Sequence, residues 1–328
     1  MHIDITQFVI DTTGASGITN VETIQSLWSG YGKILRVRLT GLETESVIVK
    51  HVQLPDQASH PRGWNSDRSH QRKVRSYQVE TAWYQHWSEH CDNSCRVPHS
   101  IAMEQSETGF IMVLEDLNDS GFPVRKSKVS LAEMQHCLDW LANFHATFMG
   151  CEPQGLWPKG TYWHLETRPD ELAALDDVRL KEAADVIDQR LSKTPYLTFV
   201  HGDAKLANFC FSKNISQVAA VDFQYIGAGC GMKDVAYFIG SCLYEEDCEK
   251  YEQQLLDSYF EKLHIALQER ESTLDFDDLQ RNWRELYPFA WTDFHRFMKG
   301  WSPGHWKIHG YSERLSREVL AQLEQIKQ

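Results

Sequence analysis

Three side chains in the middle of the sequence carry the clearest chemical signal. Asp203 is followed five positions later by Asn208, and Asp222 comes after two short apolar runs, residues 209–211 and 218–221. Between the runs, Ser212-Lys213-Asn214-Ile215-Ser216-Gln217 supplies turn residues. Two adjacent strands joined by so short a turn are antiparallel, so the numbers of cross-strand partners have a constant sum. A turn centred on Ile215 makes that sum 430 and sets Asn208 beside Asp222. Asp203 then stands just ahead of the hairpin, on the loop that enters it. Two carboxylates and an amide oxygen at one place form a hard-oxygen site suited to Mg²⁺. Phosphoryl transfer needs this set: one Asp accepts the proton of an attacking hydroxyl, and an Asn and a second Asp hold the metal that neutralises a triphosphate. Lys205, two residues after Asp203, could reach the γ-phosphate as it moves.

These residues need a scaffold on both sides. The apolar run 197–200 reads as a strand that delivers His201-Gly202-Asp203. Further upstream, residues 33–39 alternate as a strand does, and 46–52 form a β-branched run that contains Lys50. A polar, basic stretch, 55–75, reads as a loop, with Pro, Gly and Asn as breakers. Residues 77–87 form a plausible helix and 110–114 a buried strand. The first hundred-odd residues thus read as strands with one helix. Asn118-Asp119-Ser120-Gly121-Phe122-Pro123 is the best linker signal. After it the pattern turns helical. Ser130-Leu131-Ala132-Glu133 is a capping box opening a helix with Leu131, Met134, Leu138, Leu141, His145 and Phe148 on one face. More helices are expected around 170–192, 232–244, 246–269 and 312–327. The expected fold is α+β and two-lobed: a mainly antiparallel β lobe over residues 1–117 and a mainly α lobe over 118–328.

Composition narrows the functional classes. The chain has 328 residues, 42% of them apolar and 24% charged, ordinary values for a globular protein. A formal net charge of −13 is the opposite of a nucleic-acid binder's balance. Eight cysteines are scattered, several in apolar runs, which fits reduced buried thiols rather than a disulfide framework. No basic-then-apolar leader opens the chain, and no apolar run approaches the roughly 20 residues of a membrane span. A cytoplasmic location is the expectation, with no membrane span and no evident obligate protein partner.

The spacing from Asp203 to Asn208 is that of the catalytic loop of protein kinases. His201-Gly202-Asp203 with Asn208 and Asp222-Phe223 resembles the aminoglycoside phosphotransferase and choline kinase superfamily, which shares the protein-kinase fold. Gly202 stands where protein kinases have Arg, Gln224 stands where they have the Gly of D-F-G, and no A-P-E element follows; these departures favour the small-molecule branch. Ser76-Tyr77-Gln78-Val79-Glu80, residues 113–117, Leu141-Ala142-Asn143-Phe144-His145-Ala146 and Lys233-Asp234-Val235-Ala236-Tyr237-Phe238 resemble the ecdysteroid-kinase-like subgroup more closely. The resemblance implies ATP and Mg²⁺ as cofactors and a small hydroxyl-bearing substrate as partner. It gives Asp203 the role of catalytic base and assigns Asn208 and Asp222 to the metal. Lys50 resembles the lysine that contacts the α/β-phosphates, and Glu80 the helix glutamate that pairs with it. Residues 115–117, with Glu115 and Leu117, resemble the hinge whose backbone meets adenine. Gly30 and Gly32, in Ser29-Gly30-Tyr31-Gly32-Lys33, sit where the phosphate-covering loop belongs, with Leu35 at the place of its third glycine. Asp234 resembles a carboxylate that steadies the catalytic loop, through His201. The acceptor pocket is implied in the C-terminal lobe, where Asp293, Trp301 and Trp306 are candidates.

Plainer readings compete for other residues. His145 on an apolar helix face reads as a hydrogen-bonded core histidine. His86, His90, Cys91 and Cys95 fit no common zinc spacing and read as a helix end. Arg62, Arg68, Arg72, Lys73 and Arg75 read as solvated charge, with closure over an anionic ligand as the alternative. Most aromatics of 291–306 read as core. The expected activity is transfer of the γ-phosphoryl group of ATP to a hydroxyl of a sterol-like alcohol, amino alcohol, sugar or aminoglycoside-like acceptor. The alternative is a nucleotide-binding pseudokinase acting as a scaffold or sensor.

Overall fold

The computed structural model describes residues 4–27, 30–53, 67–106 and 109–326. The chain divides into two compact units. One comprises Met1–Asp92, Arg96–Arg125 and Cys210–Val221; the other comprises Asn93–Cys95, Lys126–Phe209 and Asp222–Gln328.

The first unit is built on a five-stranded antiparallel sheet of order β1-β2-β3-β5-β4, with β1 Gly17–Ser26, β2 Gly32–Thr40, β3 Ser46–Gln53, β4 Ser100–Ser106 and β5 Gly109–Glu115. Alternation in β2 and β3 puts Leu35, Val37, Leu39, Val47 and Val49 in one core with Ile111 and Val113 of β5. Helix α1, Ile5–Thr13, closes that core with Val9; Asp4 caps its start and Gly14, at φ 74°, ends it. Helix α2 runs over Asp67–His86. The expected loop 55–75 is corrected here: residues 54–66 (Arg62 among them) lie outside the described residues, and from Asp67 the chain is helical. Arg68, Arg72, Lys73 and Arg75 are therefore helix residues. Two helices, not one, accompany the strands.

In the second unit the expected capping box is present: Ser130 Oγ accepts from Glu133 N–H, and Glu133 accepts from Ser130 N–H, opening α3, Leu131–Thr147. The helix expected near 170–192 is broken into α4, Pro169–Ala173, and α5, Val178–Ser192. Strands β6, Thr198–Val200, and β9, Gly227–Gly229, pair antiparallel. In the sequence between them come β7, Phe209–Phe211, and β8, Val218–Ala220, which pair with each other and, apart from Phe209, belong to the first unit. Helices α6, Met232–Cys242, and α7, Glu245–Glu269, fall where expected. Helix α8, Phe276–Trp301, was not foreseen; it continues through Pro288 and packs on α5, α6 and α9, Gly310–Ile326. Among the described residues no helix is long and apolar enough to cross a membrane.

Candidate active site

The loop between β6 and β7 is held by one buried carboxylate. Asp234, in the first turn of α6, is fully buried and accepts from the backbone N–H of His201 at 2.6 Å and of Gly202 at 3.0 Å. His145 Nε2 lies 3.2 Å from the same carboxylate, and its Nδ1 lies 2.8 Å from the Tyr259 hydroxyl. His145 is thus the hydrogen-bonded core histidine expected, and it also orients Asp234. The support that Asp234 gives the loop runs through backbone N–H groups. Gly202 adopts φ 80°, and a Cβ there would stand 2.2 Å from the Tyr225 carbonyl oxygen; only glycine fits.

This loop presents Asp203. Its Oδ2 accepts from Lys205 Nζ at 2.8 Å and from Asn208 Nδ2 at 3.1 Å. Its Oδ1 accepts from the Tyr237 hydroxyl at 3.1 Å. Burial raises the Asp203 pKa; Lys205 opposes the rise and Asp222 adds to it. A carboxylate so placed is a stronger base than a solvated one. Asn208 also donates to the Asp203 carbonyl at 2.8 Å, which leaves its own Oδ1 as an acceptor facing away from Asp203.

The hairpin differs from the expected register. Its turn closes with Ser212 N–H donating to the Gln217 carbonyl, a pair whose numbers sum to 429, and Ile215 takes φ 59°. Asn208 lies in a 3-10 turn, Leu206–Asn208, ahead of β7, and Asp222 stands past the end of β8. Strand pairing therefore does not align them; Asp222 leaves the strand with φ 72°, in the left-handed region that non-glycine residues rarely enter. Gln224 Nε2 donates to Asp222 Oδ1 at 2.7 Å. Phe223 anchors the bend against the His201 ring at 4.7 Å and against Trp140. The oxygens of Asn208 and Asp222 are a donor set that fits Mg²⁺.

The family profile of the ecdysteroid kinase-like proteins matches residues 31–154 and 160–271, most of the chain. The chain belongs to the ecdysteroid kinase-like family. No curated protein sequence matches it. Among solved structures, a choline kinase from Cryptosporidium parvum is 12% identical, with 98% of this chain and 96% of that one covered and a TM-score of 0.55. A choline kinase from Streptococcus pneumoniae is 13% identical over 97% and 98%, TM-score 0.48. A microcompartment-associated aminopropanol kinase is 12% identical over 98% and 94%, TM-score 0.49. The fold of this ecdysteroid kinase-like protein is the α+β, protein-kinase-like one, and the family is one of kinase-like small-molecule phosphotransferases.

In the first unit of this family member, Lys50 on β3 and Glu80 on α2 form a buried ion pair, with Nζ 2.5 Å from Oε2. Gly30 and Gly32 lie on the β1–β2 connection, at φ 78° and 134°; Ser29 lies outside the described residues. The Glu115 side chain is taken by Arg96 at 2.5 Å and by the His99 N–H at 2.9 Å. Leu117 accepts from Phe122 N–H, and no hydrogen bond to the Leu117 N–H occurs among the described residues. Next to it is an ion pair that sequence reasoning missed. Arg36 donates to Asp116 at 2.5 Å, and Ser46 and the Asn118 N–H also donate to that carboxylate. Burial alone would raise the Asp116 pKa, but these donors outweigh it and lower it.

The acceptor candidates separate. Asp293 is only 1% exposed, and its carboxylate is engaged by Arg296 at 2.8 Å, Trp163 Nε1 at 3.0 Å and Lys233 at 3.7 Å. It sits in a buried ion-pair cluster rather than on an open face. Trp301 and Trp306 are 55% and 46% exposed. Two residues not singled out bear on Asp203: the Tyr237 hydroxyl lies 3.1 Å from its Oδ1, and the Lys307 ammonium feels its charge. Tyr237 falls within the 233–238 motif; Lys307 had no sequence signal beyond the aromatic run around it.

Proposed function

We propose that the chain is an ATP-dependent kinase that transfers the γ-phosphoryl group to a hydroxyl of a small molecule. The observation that carries this reading is Asp203: a buried carboxylate with raised pKa, presented by a braced loop, bonded to Asn208 Nδ2 and near enough to Asp222 to feel its charge. In this reading Asp203 orients the acceptor hydroxyl and takes its proton. The acceptor oxygen forms a bond to the γ-phosphorus as the bond to the β–γ bridging oxygen breaks, and ADP leaves with that electron pair. Lys205 lies close enough to Asp203 to meet the moving phosphoryl group. Asn208 and Asp222 would hold Mg²⁺, which when bound neutralises phosphate charge.

The nucleotide residues are assigned to residues 1–117. Lys50, fixed by Glu80, contacts the α/β-phosphates; Gly30 and Gly32 belong to the covering loop; the Leu117 N–H and the Glu115 backbone meet adenine. Residues 118–328 carry catalysis and acceptor binding, with Trp301 and Trp306 as exposed candidates and Asp293 as their buried support. The test is a screen of hydroxyl-bearing metabolites with Mg-ATP, read by mass spectrometry for a phosphorylated product. Asp203→Asn should lose turnover by about 10³-fold or more while still binding ATP. Full activity in that variant would sink the mechanism. Mg-ATP binding without transfer to any acceptor would favour the scaffold reading instead.

A further inference from the structure

The two oxygens of Asp203 face different surroundings. Oδ2 meets Lys205 and Asn208, the groups assigned above to phosphate and metal. Oδ1 meets Tyr237, and beyond that phenol the wall is aromatic. Phe294 stands 4.9 Å from the Tyr237 ring and Tyr162 stands 5.7 Å from it. Against this wall lies an ammonium group, Lys307 Nζ, at 4.7 Å from the Tyr237 ring, 5.4 Å from Phe294 and 5.7 Å from Trp306.

Lys307 sits in an unusual electrostatic position. Among the described residues its Nζ has no hydrogen-bond acceptor and no carboxylate within ion-pair distance. The one carboxylate whose field reaches it is Asp203. Burial lowers its pKa to about 8, with Asp203 opposing that fall, so at pH 7 it is mostly cationic. Cation–π contacts offset part of the cost of withdrawing this half-buried ammonium from water, but a charge without a counter-ion there otherwise remains unfavourable. An ammonium held one phenol ring from the base, without its own counter-ion, is matched by an anion that arrives with a ligand.

We infer that Lys307 sets the charge class of the acceptor: the site takes an apolar or aromatic alcohol that carries an anionic group, and it rejects cationic amino alcohols and aminoglycoside-like acceptors. The hydroxyl lies at Asp203 Oδ1, the apolar body lies against Tyr237, Phe294 and Trp306, and the anion reaches Lys307. A cationic acceptor would meet the like charge of the Lys307 ammonium. This inference rests on the kinase reading for its reaction but not for its binding selectivity.

Three benzyl alcohols of matched shape test it: 4-(hydroxymethyl)benzoate, 4-(hydroxymethyl)benzamide and 4-(aminomethyl)benzyl alcohol, with saturating Mg-ATP at pH 7. The wild type should prefer the benzoate over the amine by about 100-fold in kcat/KM, the scale of a desolvated charge contact. Lys307→Met should bring that ratio within about fivefold, with the KM for ATP unchanged, and Lys307→Arg should keep the preference. Near-UV circular dichroism checks that each variant is folded. A wild-type preference for the amine, or a ratio in Lys307→Met unchanged from the wild type, overturns the inference. If the wild type phosphorylates none of the three, binding is measured directly by tryptophan fluorescence. Benzoate-selective binding lost in Lys307→Met then supports the inference while counting against the kinase reading; charge-blind or absent binding overturns the inference itself.

Discussion

Replacing Asp234 with asparagine changes one atom and should cost far more than its size suggests. The carboxylate satisfies three donors in a fully buried place: the His201 N–H at 2.6 Å, the Gly202 N–H at 3.0 Å and His145 Nε2 at 3.2 Å. An amide has one acceptor oxygen. With that oxygen toward His201 and His145, its NH₂ group confronts the Gly202 N–H; turned the other way, it confronts two donors. The better orientation still loses a charge-assisted hydrogen bond and leaves one buried backbone N–H unmet, about 4 kcal/mol together. In urea this should lower the midpoint of the second unit's transition by about 2 M. The same change loosens the loop that presents Asp203, so kcat should fall while the KM for ATP stays near its wild-type value. Asp234 touches no reacting group in this scheme, which makes it a positioning residue. A loss below about 1 kcal/mol in Asp234→Asn would refute the hydrogen-bond assignment. Unchanged turnover alongside the full stability loss would refute the link from loop to base.

Other perturbations test the remaining supports. Glu80→Gln leaves the buried Lys50 ammonium without its counter-charge and should destabilise the first unit by about 3–5 kcal/mol; Lys50→Met in the same chain should recover part of that loss in a denaturation double-mutant cycle. Gly202→Ala forces a side chain into a left-handed backbone 2.2 Å from the Tyr225 carbonyl oxygen and should cost about 3 kcal/mol or more in denaturation, with loss of turnover. His295, buried on α8 with Glu313, Lys299 and Asp177 facing it, has its pKa lowered to about 4, chiefly by burial. The folded state therefore binds that proton less readily than the unfolded one. Its stabilising contribution is complete above pH 6.5 and is lost as pH falls from 6.5 toward 4, up to about 3 kcal/mol; His295→Gln should flatten that part of the stability profile.

What was readable in the sequence follows from where each signal is stored. Strands β2 and β3 alternate because one face of each is core, and α3 carries its own cap at Ser130, so these elements were legible locally. Strand β1 was not, because most of Gly17–Ser26 is exposed and has no apolar face to alternate. The first turns of α2, Asp67 to Ser76, are a polar, basic run with no helical apolar period, so they read as loop. Helix α8 was hidden by Pro288. A proline inside a helix is costly on its own, and here that cost is offset by the face α8 buries against α5, α6 and α9. That face is tertiary information.

The active-site residues divide along the same line. The spacing of Asp203 and Asn208 was legible because the 3-10 turn between them lets Asn208 donate back to Asp203 five residues away. The pairing of Asn208 with Asp222 was inferred from an idealised hairpin and missed by one residue. The left-handed Asp222 that replaces strand pairing is a strained conformation, which no residue type announces. Lys307 was least legible of all. Its ammonium lies 4.7 Å from the Tyr237 ring, whose hydroxyl meets Asp203, and beyond the aromatic run around it nothing in the sequence distinguishes it from a surface lysine. The residues that run the proposed chemistry are thus encoded within one short segment, whereas the residue proposed to select the acceptor is supplied by a distant one. On that proposal, acceptor choice would change without altering the loop that carries Asp203, since substitution at position 307 touches neither Asp234, Gly202 nor Asn208.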